Sequence, residues 1–381
     1  MTPLTRVGPP RSASMMGIMN EITLVAVGDV VPEDHRMDAV AAELNAADIT
    51  FGQLEEPLSN RGKQQLFAGI GGPRYDSGDV MDTAKKARQL VETGFDILSF
   101  ATNHTMDRSE ESLFDTIDAV RGAGIVLVGA GENIAAAREP QIVERDGVTV
   151  GFLAYCSVLP YGYQATSERP GTVPIRARTS YEQIDWRPGT KPRIHSEAYE
   201  EDVALMVADI EALRPKVDVL AISIHWGIHF EPATVAQYQR EVGRAAIDAG
   251  ADIVLGHHAH ILKGVDVYKG KAIVYSLNNF SLRPRGDDGE WLGPDNTPSD
   301  QMFSVMAKAT IRDGAIAQLS FVPVSVDGEA RPSFVHPGDE YFEYICDYFT
   351  WATQEAGLSG EYDAEGGELV LRAYDRAAVT V

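Results

Sequence analysis

"IVLGHHAH", residues 253–260, is an aliphatic run that breaks into three histidines within four positions. Consecutive strand residues point to opposite sides, so Ile, Val and Leu in a row suit a strand buried on both faces. The chain has nine histidines in all, and three of them stand at this one strand tip. A lone histidine after a strand is commonly a surface or satisfied core residue. The decision turns on whether other strands end the same way.

They do. "VAVGDV" presents Asp29, "FGQLEEP" presents Glu55 and Glu56, "LSFATNH" presents Asn103 and His104, and "ISIHWGIH" presents His225 and His229. With His257, His258 and His260, five apolar runs deliver polar groups to one edge. In open α/β sheets ligands sit beyond the carboxyl ends of the strands, so these distant residues are expected to converge. A convergent His, Asp, Glu and Asn set makes either a first-row divalent metal site or an acid–base site.

Outward from these tips the chain alternates compact apolar runs with stretches of helical period, which predicts a layered α/β domain. Strands are expected over 22–27, 49–54, 96–101, 125–128, 148–155, 217–224, 252–256 and 272–277, and helices over 37–47, 112–124, 198–215 and 234–250. The runs 303–311 and 315–324, joined by "RDG", read as a β-hairpin, so the sheets are expected to be mixed. Residues 157–197 and 283–300 exceed ordinary connections and read as lids, substrate walls or plain solvated insertions. The expected organisation is a disordered extension over 1–20, one domain over 21–330, and a helical tail over 331–381 packed on it.

At 381 residues, 44% hydrophobic and 23% charged, the chain can bury a large core. Its 56 acidic residues outnumber 33 basic ones for a formal charge of −23, which argues against nucleic acid, anionic membranes and polyanions as partners. Cys156 and Cys346 stand far apart without CxxC spacing and read as reduced thiols. No stretch has the uninterrupted apolar length of a signal peptide or a bilayer span. The expectation is a cytoplasmic protein without a membrane anchor, acting on a small-molecule or peptide substrate.

The same segments carry a family resemblance. "AVGDV", "QLEEPLS", "GFDILSFATNHTMDRSEESLFDTIDAVRGAGIVLVGAGEN", "ISIHWG" and "GADIVLGHHAHILKGVDVYKGKAIVYSLNNF" resemble, in order, the blocks of the bacterial CapA/PgsA family of poly-γ-glutamate capsule biosynthesis. That family is similar to the metallo-dependent (calcineurin-like) phosphatases. The resemblance implies a four-layered α/β/β/α sandwich of metallophosphatase-like type. It also implies metal ligands at Asp29, Glu55 (the bridging carboxylate), Asn103, His225, His258 and His260, with His104 completing the Asn-His pair. His257 is the additional histidine of the CapA variant.

Three positions depart from the pattern. The first motif, Asp-x-His, reads Asp29-Val30-Val31; the Asn before Leu-Glu is Gln53; and Leu-Gly-Asn-Phe reads Leu277-Asn278-Asn279-Phe280. One ligand of the first ion is thus missing, which leaves open two ions of Zn, Mn or Fe type, one, or none.

With a metal, the expected reaction is hydrolysis or transfer at a phosphoester or peptide/acyl centre. His104, held by Asp107 one turn later, would be its general acid, with Asp29 and His258 completing the catalytic set. Without a metal, Asp29 and one histidine of 257–260 suit two-base proton abstraction at a peptide Cα, the cofactor-independent epimerase chemistry that some CapA-like tailoring proteins resemble. A third reading is an accessory protein of poly-γ-glutamate-type polymer synthesis, against which the missing anchor and the negative charge both weigh. Ligand-type residues at six of the seven usual positions favour an enzyme, with hydrolysis ahead of epimerisation. For the substrate wall, Tyr161, Arg283 and Arg285 are expected to flank the strand-end edge, the arginines either pairing with a substrate anion or standing as solvated loop charges, and Trp226 either stacks on a substrate or packs buried under the site.

Overall fold

The computed structural model describes residues 21–63, 82–187, 189–283 and 299–372. Strand Val148–Cys156 shows how its layers arise. Val148, Val150, Phe152, Ala154 and Cys156 enter one apolar core, while Leu153 and Tyr155 enter another on the opposite face. Strand Val219–His225 splits likewise, Val219 and Ala221 to one side, Leu220, Ile222 and Ile224 to the other. A strand buried on both faces requires a packing layer on each side.

Two sheets therefore face each other across a shared core. The larger runs Tyr362–Glu365, Glu368–Leu371, Ala315–Val326, Phe303–Arg312, Glu21–Val30, Ile49–Leu54, Ile97–Ser99, Val126–Val128. The smaller runs Lys263–Tyr268, Lys271–Ser276, Ile253–His257, Val219–His225, Val148–Cys156, Gln141–Arg145. Each holds parallel and antiparallel neighbours, so both are mixed. Helices Ala41–Ala46, Thr83–Thr93 and Ser109–Gly122 cover the outer face of the larger sheet through Leu44, Leu90, Leu113 and Ile117. Helices Glu200–Leu213 and Gln237–Asp248 cover the smaller through Met206, Ile210, Val242 and Ala246. The outcome is an α/β/β/α sandwich, each buried Leu, Ile or Phe contributing about 1.5–3 kcal/mol.

One close approach positions the site. A Cβ on Gly28 would lie 1.7 Å from the Asn278 carbonyl oxygen, so glycine alone lets the short strand Asn279–Ser281 run beside the first strand. The Asp29 N–H then donates to that carbonyl at 3.0 Å, and Asp29 sits opposite Asn279.

The tail is not helical throughout. Helix Phe342–Glu355 buries Ile345, Phe349 and Ala352 in the inter-sheet core, but the chain then forms the hairpin Tyr362–Glu365/Glu368–Leu371, which extends the larger sheet. Gly366 and Gly367, both at positive φ, make its turn. Residues 157–197 are likewise more than a loop, because they hold the antiparallel pair Ala177–Glu182 and Arg193–Ala198. Helix Thr83–Thr93 and strands Gln141–Arg145 and Lys263–Tyr268 add to the elements expected from sequence. The extension 1–20 and most of 283–300 lie outside the described residues. Among the described residues no helix is long and apolar enough to cross a membrane.

Candidate functional site

The two-residue period of a strand decides which groups meet. Glu55 continues the inter-sheet row of Ile49, Phe51 and Gln53; His225 continues Val219, Ala221 and Ser223; His257 continues Ile253 and Leu255. Both sheets open their carboxyl ends at the same place, where Asp29, Asn103 and His104 join them, and all of these groups are buried. The turn after Ile253–His257 takes left-handed backbone at His258 (φ 89) and His260 (φ 52). Such strain costs of order 1–3 kcal/mol per residue and is characteristic of functional sites.

Glu55 stands at the middle. Its Oε1 is 3.6 Å from His104 Nε2 and 3.7 Å from His260 Nε2, and its Oε2 is 3.6 Å from His225 Nε2. On one side Asp29 Oδ2 lies 3.3 Å from His260 Nδ1, and Oδ1 lies 3.7 Å from His257 Nδ1. Asp29, Glu55 and His260 offer ligand atoms within 4.8 Å of one another. On the other side His225 Nε2 and His258 Nδ1 converge on Asn103 Oδ1 at 2.7 and 3.1 Å and stand 3.2 Å apart. Donors bonded to one ion at about 2.0–2.2 Å are themselves roughly 3–4 Å apart. Asn103, His225 and His258 lie close to that spacing, and Asp29, Glu55 and His260 approach it.

The electrostatics point the same way. Asp29 is fully buried, and neither of its oxygens has a hydrogen-bond partner among the described residues. Burial pushes the His257 pKa down to about 4, against the raising effect of Asp29. Burial first, then the neighbouring imidazoles, push His225 and His258 well below the ordinary histidine value. These rings are neutral at neutral pH and offer lone pairs, the state in which imidazole binds metal. Asp29 thus sits buried beside the neutral His257 ring, with no hydrogen bond to its oxygens among the described residues. A divalent cation would supply compensating charge, and this nitrogen and oxygen donor set fits Zn, Mn or Fe.

Further contacts orient the rings. His260 Nδ1 donates to Asn279 Oδ1 at 2.8 Å, leaving the Nε2 lone pair toward Glu55. His104 Nδ1 donates to Asp107 Oδ2 at 2.7 Å, and the Tyr163 hydroxyl donates to Asp107 Oδ1 at 3.0 Å. Thr102 Oγ1 donates to Glu55 Oε2 at 3.3 Å. The loop after Val219–His225 is tied over the site by Phe230 N–H to the Ala259 carbonyl at 3.0 Å and by Lys263 Nζ to the carbonyls of Glu231 and Thr234. It lays the His229 ring 3.8 Å from that of His258.

Asp29, Glu55, Asn103, His104, Asp107, His225, His258 and His260 are thus brought together. Trp226 is not, and its expected place in a substrate wall is corrected. One residue past His225, it points to the opposite face, fully buried, with its N–H on the Tyr275 carbonyl at 3.0 Å and its ring stacked on Tyr275. Tyr161 projects fully into solvent, Arg283 pairs with Glu329 at 3.3 Å on the surface, and Arg285 lies outside the described residues. Tyr163, two residues on, is the tyrosine that reaches the cluster. Sequence reasoning also missed Thr102, Lys263 and the role of Asn279, which stood out only as a departure from a motif.

The four layers and the strand-end cluster define a metallophosphatase-like sandwich. Within that class the chain belongs to the bacterial capsule synthesis protein PGA_cap family, which its residues 18–283 match. It is 26% identical to the capsule biosynthesis protein CapA of Bacillus anthracis over 82% of this chain and 69% of that one. It is 26% identical to the PGA biosynthesis protein CapA of Bacillus subtilis over 71% and 62%. A "Probable polyglutamine synthesis accessory protein" of Mycobacterium tuberculosis is 29% identical over 60% of this chain and 55% of its own length. The chain thus spans little more than half to about two thirds of these relatives. Among solved structures, a hypothetical protein from Thermus thermophilus superposes with a TM-score of 0.44 at 13% identity, covering 79% of this chain and 98% of that one. The NAD nucleotidase of Haemophilus influenzae gives 0.39 at 12%, over 87% and 62%. At these scores neither likeness bears on function.

Proposed function

We propose that the protein is an accessory component in the synthesis of a poly-γ-glutamate-type polymer. We propose further that it acts there through a divalent metal centre, as a hydrolase or transferase at an acyl or phosphoester group. The relatives' names support the polymer role. The observation that carries the metal centre is Asp29, a fully buried carboxylate without a hydrogen bond among the described residues, flanked by His257 and His260. Asp29, Glu55 and His260 would hold one ion, and Glu55, Asn103, His225 and His258 another. The formal charge of −23 disfavours a long polyanion lying along the surface, which confines the reading to a chain end or a monomer reaching the strand-end cluster.

A bound divalent ion would polarise a carbonyl or phosphoryl oxygen and lower the pKa of water toward neutrality. The chain's own residues do the rest. Asp107 accepts a hydrogen bond from His104 Nδ1–H and so keeps Nε2 toward Glu55. When the ring is protonated, Nε2–H is placed to protonate a leaving amine or alkoxide. Tyr163 fixes Asp107 in that orientation. The buried histidines keep bulk water from the carboxylates.

The test is metal analysis of protein purified without chelator, together with assays of γ-glutamyl peptide and phosphodiester turnover. The expected result is bound Zn, Mn or Fe, reduced together with turnover in His258→Ala, whereas His104→Gln loses turnover and keeps metal. A metal-free protein that exchanges solvent deuterium into a peptide Cα would establish the epimerase instead. Metal without turnover would reduce the reading to a structural accessory role.

A further inference from the structure

We propose that the hairpin Ala177–Glu182/Arg193–Ala198 is a self-association element, in which strand Ala177–Glu182 pairs antiparallel with the same strand of a second copy across a two-fold axis. Among the described residues this strand pairs only with Arg193–Ala198, and five of its six residues are exposed. The inner strand is supported: Ser196 is buried, and its Oγ accepts the N–H of Tyr238 on helix Gln237–Asp248. Of the outer strand only Ala177, at its start, packs against the core, and the other five residues are exposed. A two-stranded sheet alone is marginal in water, and an open strand edge offers its N–H and C=O groups to another chain.

The apolar side chains concentrate on the same element. Tyr181 and Ile194, directly opposite each other, are 70% and 59% exposed, and Ile184 and Trp186 in the connecting turn are 53% and 87% exposed. Of the described large hydrophobic residues only Tyr161 is otherwise more than half exposed. Four of five on one hairpin is the pattern of a contact surface rather than of scatter.

The charges select a second copy as the occupant. Over 177–198, Arg178, Arg187, Lys191 and Arg193 stand against Glu182, Asp185 and Glu197, a net of +1 in a chain of −23. Two such acidic chains repel least where they are locally near neutral. Arg178 and Glu182 also lie symmetrically about Ser180 on one face of the strand. Antiparallel pairing centred on Ser180 sets Arg178 opposite the second copy's Glu182, and Glu182 opposite its Arg178, while Tyr181 meets Thr179 on the other face. That is the self-complementarity a two-fold interface demands. Within the hairpin Arg178 already pairs with Glu197 at 2.7 Å and Glu182 with Arg193 at 3.0 Å, so the pairing extends an existing row of charges. Exposed pairs of this kind fix register more than affinity, which the apolar residues supply.

The test is sedimentation equilibrium of the full chain over a range of concentrations, with circular dichroism to verify that each variant is folded. A dimer is expected for the wild type. Arg178→Glu should weaken it by about tenfold through like charges set opposite each other. Tyr181→Ala combined with Trp186→Ala should leave a monomer. Trp351→Ala, an exposed aromatic away from the hairpin, should change nothing. A monomeric wild type overturns the proposal, as does a dimer equally tight in the Arg178 and Tyr181/Trp186 variants.

Discussion

The Asp29 carboxylate lies 3.3 Å from His260 Nδ1, a nitrogen already committed to the Asn279 side chain at 2.8 Å. Asp29 is therefore beside an imidazole that cannot also give it a full hydrogen bond, and its other imidazole neighbour, His257, stands 3.7 Å away. A buried carboxylate in that state destabilises the metal-free fold and becomes favourable when a cation arrives. With the proposed metal centre, folding and ion binding would be coupled through this one side chain.

The isosteric change Asp29→Asn separates those two effects. It should stabilise the chelator-treated protein by about 1–3 kcal/mol by removing an uncompensated charge. It should also reduce, without abolishing, the rise in Tm that added Zn or Mn gives the wild type. Thermal unfolding with and without chelator measures both. A chelated variant less stable than the chelated wild type would contradict the account of Asp29.

Glu55 faces both ligand groups, whereas Asp29 and His258 each serve one. Glu55→Gln should therefore deplete bound metal more than either Asp29→Asn or His258→Ala. At a ligand concentration of about 100 Kd the lost stabilisation is ~2.7 kcal/mol. Metal content and Tm of the three variants decide it, and equal depletion would deny Glu55 its shared position.

How much of this was legible in the chain follows from what each signal depends on. The strand tips were visible because two-sided burial forces continuous apolar runs, and the polar residue that ends such a run stands out, as at Asp29, Glu55, His225 and His257. The same period of two could have excluded Trp226 from the cluster, since a residue next to His225 must face the other way. Helix Thr83–Thr93 escaped notice because it buries little apolar surface: its buried positions are Ala87, Gln89, Leu90 and Thr93. The tail hairpin had a local signal in Gly366-Gly367 between two short alternating runs. The links from Tyr163 to Asp107 and from Lys263 to the 227–236 loop join distant segments by single contacts. No periodicity marks such contacts, and only the folded chain shows them.

Acid should unfold the metal-free protein through its buried imidazoles. His257 has a folded-state pKa of about 4 against an ordinary value of 6.5. As pH falls, the unfolded chain takes up a proton first, so the stability contributed by neutral His257 is intact above about 6.5 and is lost as pH drops toward 4. His225 and His258 are shifted in the same direction by burial and by one another, and add to the slope. The upper bound from His257 alone is about 3 kcal/mol. Urea unfolding of chelator-treated protein at a series of pH values should show a steep loss across that window and a shallower one in His257→Gln. An unchanged slope in the variant would mean that the ring does not titrate on unfolding.

The His104–Asp107–Tyr163 chain yields the last prediction. Burial, together with the neighbouring Asp107, pushes the Tyr163 hydroxyl far above its usual pKa, so it remains a donor to Asp107 Oδ1 across the working pH range. Tyr163→Phe removes that donor but leaves the bond from His104 Nδ1 to Asp107 Oδ2, and should cost about 1–3 kcal/mol of stability with metal content unchanged. Asp107→Asn acts on the chemistry instead. An amide can donate to Nδ1, which moves the ring proton to Nε2 and removes the carboxylate that stabilises the charged ring. The rate of the proposed reaction should then fall by roughly 10²–10⁴, the usual contribution of a general acid. Nitrogen NMR of the His104 ring reads the tautomer without any substrate: Nδ1–H in the wild type and in Tyr163→Phe, Nε2–H in Asp107→Asn. Identical ring-nitrogen shifts in all three proteins would show that Asp107 does not set the state of His104, and the assignment of His104 as the proton donor would fall with it.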